Sequence, residues 1–444
     1  MTVSAFIKSR QPLLEATQQN QSTVSQETSA AMAHPDTTSS PSNGQTLFKS
    51  FAGVLNLFRT FKKTPTVLGV STLTAVLTCM LGVISEAAAL DLRVAIEEDV
   101  RTVQVGSSTK SLLRDSSGRV VAEIPAMGSV RAEFQGNQVK IHQFQGRQFW
   151  LEPTNGGYVA IGDKWYRGKT HVIAVDGAIT AVNYVNLEEY LYSVVGGEVP
   201  TNWPLEAMKA QAVAARTYAL YQRQSRGNAI FDVGDTTAWQ VYRGLEEEAS
   251  STHAAVRETA GQVLTHNGQI IEAVFHSSSG GHTENVENVW SSPRPYLRGV
   301  ADFDHYAPVF QWREQFSADD LRNRITGVGR ILSITPVQLT PTGRVASVRV
   351  VGDRSTRTLT GSEMRQSLGL RSTLFTIRPE MGRVASANSA GSVPVSFLVD
   401  GRGFGHGVGM SQWGAYGLAS RGYNYQQILG HYFQNTTLSV IRAQ

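Results

Sequence analysis

The spacing of apolar positions changes several times along the chain. No charged residue occurs from Pro65 to Ile84, a run with no polar face that follows Arg59, Lys62 and Lys63. At ~1.5 Å per helical residue it nearly matches a bilayer core, which predicts an export helix. Ala87-Ala88-Ala89 has the small-residue spacing of a signal-peptidase site, so the run reads as a cleaved signal peptide or as an uncleaved membrane anchor. From Leu90 the period drops to two in Leu92-Val94-Ile96, Val120-Ala122-Ile124 and Val139-Ile141, between Ser-Ser-Gly, Gln-Gly-Asn and Asn-Gly-Gly turns. This predicts antiparallel strands to about Thr180. Between Asn186 and Ser225 the period becomes helical, with Asn186 capping a short helix and Pro204 opening a longer one. In the longer helix Leu205, Met208, Ala212, Ala215 and Ala219 form a core-facing stripe with Gln211 and Arg216 at its edges.

The rest alternates. Ile270 to Val274 reads as a strand, Ser317 as the cap of a helix, Ala346-Val348-Val350 and Val393 to Val399 as strands. Two short helices are predicted near Met410 to Ala419 and Tyr425 to Phe433.

Composition narrows the function. Of 444 residues 41% are hydrophobic, enough for a packed core, whereas the Ser-, Thr- and Gln-rich stretch before residue 59 reads as a disordered cytoplasmic tail. The net charge of +4, from 40 basic and 36 acidic residues, argues against nucleic acid as a partner. The sole cysteine, Cys79, lies in the apolar run, so neither a disulfide framework nor a thiolate metal site is available.

Three segments carry candidate chemistry. Glu198 follows Gly196-Gly197 and precedes Val199-Pro200, which reads as a loop joining the two helices. Its apolar neighbours Val194, Val195, Val199 and Trp203 would raise a carboxyl pKa toward that of a general acid; a turn or capping role is the alternative. The loop Phe275 to Glu284 offers His276, Ser277, Ser278 and His282. A zinc site from the two histidines with Glu284 or Glu287 has no helical His spacing behind it, and a triad on Ser278 lacks the G-x-S-x-G elbow. Gly401 to Trp413 alternates glycine with other residues but misses both the dinucleotide and the P-loop patterns. Its glycines suit close approach of the backbone to another chain or a glycan, with His406, Ser411 and Gln412 as hydrogen-bonding groups.

In this order Leu187 to Pro200, Leu205 to Tyr218, Gln240-Val241-Tyr242, His276 to Glu284, Gly401 to Gly414 and Ile428 to Phe433 resemble the SpoIID/LytB family. The resemblance implies a lytic transglycosylase that cuts peptidoglycan glycan strands, by preference peptide-free ones, with Glu198 as the catalytic acid/base. It implies Gln211, Arg216, Gln240, Tyr242, His276, Ser277, Ser278, His406, Ser411 and Gln412 as candidates for binding glycan. Some members are described as enhancers of a cell-wall amidase, which gives the alternative of a non-catalytic wall-binding partner. Zinc, held by cysteines in some members, is not carried over, and no cofactor is expected. The expected chain is α+β: a disordered tail over 1–58, an export or anchor helix within 59–89, a β-rich module over 90–180 and a mixed α/β catalytic region over 181–444, all exported from residue 90.

Overall fold

The computed structural model describes residues 90–290, 292–384 and 391–441. The expected tail and the expected export helix lie outside the described residues. Among the described residues no helix is long and apolar enough to cross a membrane.

The first half is rich in strands, as the two-residue period predicts. One seven-stranded sheet runs in the order Val233–Gly234, Asp91–Val100, Ala178–Asn186, Lys169–Val175, Gln148–Pro153, Ser111–Arg114, Val120–Ile124. A six-stranded sheet is built around Thr102–Ser107 and Ser129–Gln135. The second of these alternates exposed and buried positions, and its Val130 and Ala132 share a core with Leu92, Val94, Phe149 and Val172 of the larger sheet. The tight turns use residues that tolerate positive φ: Asn137 at 62° and Asn155 at 54°.

Helices follow from residue 187. α1 spans Leu187–Glu198, and the Asn186 side chain accepts hydrogen bonds from the N–H groups of Glu188 and Glu189. α2 spans Leu205–Ser225, with Pro204 in the capping position. The amphipathic reading of α2 needs correction. Met208, Ala212, Ala215 and Ala219 pack into the core beneath the sheets, while Ala207, Ala210, Val213 and Ala214 pack into a second core with Leu297, Met410 and Leu429. The helix therefore lies between two apolar masses, and residues expected at its edges are interior. Leu205, placed on the stripe by its spacing, is 36% exposed at the first turn.

α3 spans Ser250–Arg257. A third core is then built from two three-stranded sheets with α4 (Ala318–Arg324, capped by Ser317) and α5 (Gly361–Leu368). The strand Gly391–Arg402 leads out of it into the glycine-rich segment. α6 (Gln412–Ala419) and α7 (Tyr425–Tyr432) then close the second core. The expected strand from Ile270 to Val274 is shorter than its composition suggests: the strand is Gln269–Ile270, the Ile271 N–H adds one bond to the Leu264 carbonyl, and tight N–H to carbonyl contacts two residues apart follow at Ala273 and Val274. Pairing resumes at Phe275–His276, which run parallel to Met410–Ser411.

Candidate functional site around Glu198

Glu198 does not sit on a loop. Helix α1 continues through both glycines and ends on it, with Val199 extended as its C-cap. The glycines serve packing instead of turning. A Cβ on Gly196 would lie 1.9 Å from the Glu247 carbonyl oxygen, and one on Gly197 would lie 3.0 Å from that of Val241. Their bare faces let the segment 241–247 press on the helix end.

That close approach delivers a hydrogen bond. The Val241 N–H donates to Glu198 Oε1 at 2.9 Å, while the amide of Gln412, the first residue of α6, donates to Oε2 at 3.2 Å. The two oxygens are thus held by two different walls. The carboxyl is only partly exposed. Burial raises its pKa, and the hydrogen bonds from Val241 and Gln412, with the positive charge of Arg243, hold part of that rise back. No second carboxylate is among these influences.

Next to Gln412 on α6 a cluster of three aromatic rings forms, of which the sequence singles out only Trp203, as an apolar neighbour of Glu198. Trp413 and Tyr416, three apart on α6, share a face, and Trp203 from the α1–α2 connection packs on both at centroid distances of 4.8 and 5.1 Å. All three are partly exposed. The Trp413 backbone N–H donates to the Ser277 carbonyl at 3.0 Å, which ties the His-Ser loop to the same place. The signal for these rings was present in the sequence as an aromatic pair at helical spacing just after the Ser411 cap.

The other candidate residues divide sharply. Ser277 is partly exposed near Trp413. Arg216 is 0% exposed and makes a two-point ion pair with Glu188 at 2.8 and 2.6 Å, so it faces no ligand. Tyr242 is buried and donates to Asn183; Gln240 is buried between the Tyr190 hydroxyl and the Ala215 carbonyl. Gln211 is also interior, with neither amide atom hydrogen bonded. Ser411 is buried and caps α6 by accepting from the Gly414 N–H. These side chains act inside the fold.

The glycine-rich loop approaches its own chain, where sequence suggested another chain or a glycan. A Cβ on Gly407 would meet the Arg344 guanidinium at 2.3 Å, and one on Gly405 would meet His276 Cβ at 2.6 Å. Beneath it Ser278 donates to Asp304 at 2.5 Å, Ser279 donates to Asp302 at 2.5 Å, and buried Arg344 donates to the Ser279 carbonyl at 2.7 Å. Burial pushes the Arg344 guanidinium down to about 10. This polar knot fixes the loop and takes Ser278 out of contention as a nucleophile. Asp302 and Asp304 lie outside every motif and were not anticipated.

The histidines are neutral spacers in this arrangement. His276 donates from Nδ1 to the Val408 carbonyl at 3.1 Å, and burial pushes its pKa well below the usual value. His406 is pushed down to about 4 by burial; its Nε2–H donates to the Phe275 carbonyl at 2.9 Å, and Trp290 lies 5.1 Å from its ring. The zinc set does not fit. Glu284 accepts from Asn288, Thr342 and the Asn285 N–H, Glu287 pairs with Arg298, and His282 Nδ1 is 2.6 Å from the Thr283 carbonyl. Among the described residues no three His, Cys, Asp or Glu side chains converge.

Known proteins share these elements. A family model described as stage II sporulation protein (SpoIID) matches residues 175–266, which include Glu198 and Val241, and a domain of unknown function (DUF8618) matches residues 294–409. Stage II sporulation protein D of Bacillus subtilis is 34% identical over 284 residues, covering 58% of this chain and 76% of that protein. An uncharacterized protein of Brachyspira hyodysenteriae is 33% identical over 293 residues, covering 64% and 75% respectively. The amidase enhancer of Bacillus subtilis is 31% identical over 302 residues, 56% of this chain but 40% of that longer protein. The chain is therefore a member of the SpoIID/LytB family.

Proposed function

We propose that the protein is an exported cell-wall enzyme, a lytic transglycosylase that cleaves the bond between N-acetylmuramic acid and N-acetylglucosamine in glycan strands. The observation that carries this reading is a single carboxyl of raised pKa, held by hydrogen bonds on both oxygens, one of them from Gln412, the residue before Trp413 of a partly exposed aromatic cluster. Ordinary glycosidases need two carboxyl groups, one to protonate the leaving oxygen and one to attack or to activate water. A transglycosylase needs one, because its nucleophile belongs to the sugar.

Glu198, protonated, gives its proton to the bridging oxygen as the muramic C1–O bond breaks. The muramic 6-hydroxyl closes on C1, and its proton passes to the Glu198 anion, which restores the starting acid. The product ends in a 1,6-anhydro ring and no water is consumed. The rings of Trp203, Trp413 and Tyr416 suit the C–H faces of pyranoses, because aromatic faces are negative and sugar C–H groups are weakly positive. The apolar run from Pro65 to Ile84 supplies the route of export, and either anchors the chain in the membrane or is removed.

The relative named amidase enhancer favours a second reading, in which the same site holds glycan while an amidase partner is stimulated. The test is incubation of peptide-free glycan strands with wild type and Glu198→Gln, followed by mass spectrometry. The enzyme reading expects anhydro ends from wild type and a loss of about 10²–10⁴-fold in the variant. Equal product from both, or none from either, sinks it.

A further inference from the structure

One charged side chain beside Glu198 has no task in this mechanism. From Gln240 to Gly244 burial alternates: Gln240, Tyr242 and Gly244 are buried, Val241 and Arg243 partly exposed. That alternation puts Arg243 on the partly exposed side of the segment together with Val241. Val241 is the residue whose N–H holds Glu198. The segment touches the end of α1 at Val241 and again at Glu247, through the bare faces of Gly197 and Gly196, and Arg243 lies between those two points. Its positive charge reaches the Glu198 carboxyl, where it opposes the effect of burial.

The guanidinium is largely uncommitted. Its side chain is 39% exposed and makes one hydrogen bond among the described residues, from Nη1 to Glu247 Oε1 at 3.2 Å. Guanidinium has a planar fork of donors suited to a carboxylate, and the one bond to partly buried Glu247 leaves most of that fork unengaged among the described residues. Arg216 and Arg344, by contrast, are sealed in the interior.

N-acetylmuramic acid, the sugar whose C1 reacts in the reading above, carries a lactyl ether. In peptide-bearing wall the lactyl carboxyl is an amide and neutral; once the peptide is removed it is an anion on the reacting ring. We infer that Arg243 is a specificity-determining residue that binds this free lactyl carboxylate and so selects glycan whose stem peptides are gone. The inference rests on the transglycosylase reading for the identity of the ligand. It supplies a side chain for the preference that the family resemblance implies.

The test measures binding, so that it does not depend on turnover. Full-length Glu198→Gln protein is titrated calorimetrically with peptide-free glycan strands, and with the same strands after carbodiimide coupling of methylamine to the lactyl carboxyls. The free-acid strands are expected to bind at least about tenfold more tightly. Adding Arg243→Gln brings the ratio near one, and Arg243→Lys restores part of it, with thermal melts confirming that both variants fold. A ratio near one with Arg243 in place, or a ratio unchanged by Arg243→Gln, overturns the inference. If wild type also forms anhydro ends, that result leaves the transglycosylase reading standing. Binding to neither strand overturns the inference, and overturns the transglycosylase reading as well only if wild type forms no anhydro ends.

Discussion

Replacing Gly196 by alanine separates two explanations of the paired glycines. In α1 the substitution removes a helix-disfavouring residue, worth about 0.8–1 kcal/mol in favour of folding if nothing else changes. The structure adds a clash: the new Cβ would lie 1.9 Å from the Glu247 carbonyl oxygen and 3.0 Å from its carbon. These are backbone atoms, so the 244–247 turn must move or the helix must bend, and forced overpacking of this kind costs roughly 1–3 kcal/mol. The net effect is a loss of about 0–2 kcal/mol, the difference of those two ranges, in place of the gain that propensity alone would give. The same shift draws the Val241 N–H off Glu198, and misplacement of about 1 Å in a catalytic constellation costs on the order of 10²-fold in rate. Gly430 is the control. It lies in α7 with nothing within 4 Å of its Cβ, so Gly430→Ala keeps the helix gain without a clash. Urea denaturation and anhydro-product yield are measured for both variants. If Gly196→Ala is stabilised as much as Gly430→Ala and keeps full product yield, the close-packing account of Gly196 is wrong.

The remaining predictions concern single side chains. Gln412→Leu removes a hydrogen bond that holds the Glu198 pKa down, so the alkaline limb of the pH–rate profile, where the acid loses its proton, should move to higher pH; an unmoved limb contradicts the assignment. Arg216→Ala leaves Glu188 facing a buried gap and should cost roughly 3–5 kcal/mol by denaturation, whereas a glycan-binding arginine would leave stability nearly unchanged. Glu198→Gln should stabilise the fold at neutral pH. Because the folded-state pKa is raised, the folded chain holds more protons than the unfolded one, and stability falls as pH climbs from the ordinary carboxyl value through the raised one. The glutamine variant lacks that decline, and melting curves across this window measure it.

What the sequence revealed was what is local. Asn186 and Ser317 cap their helices because a short polar side chain reaches N–H groups two or three residues away, and no distant contact is needed. The strand period likewise survives in the alternating burial of Ser129–Gln135. The errors came from contacts distant in sequence. Gly196-Gly197 has the composition of a turn, and only Glu247 and Val241, more than forty positions on, show why the helix passes through it. Arg216 sits at the edge of an apolar stripe in sequence but lies inside because a second core covers that side of α2. Arg243 was passed over although it adjoins a motif, since its side of the segment shows only once Tyr242 is seen pointing inward. The motifs marked the neighbourhood of the site, while several of their polar residues proved to be fasteners of the fold.

The central claim is that Glu198 works alone because the sugar supplies its own nucleophile, and the fate of solvent oxygen tests it most directly. Wild type is incubated with peptide-free glycan strands in water enriched in heavy oxygen, and the new muramic ends are weighed by mass spectrometry. The account predicts ends lighter than the hydrolysis product by one water and free of the heavy isotope. Ends that gain a heavy oxygen at C1 during cleavage would show that water attacks, and would contradict the claim.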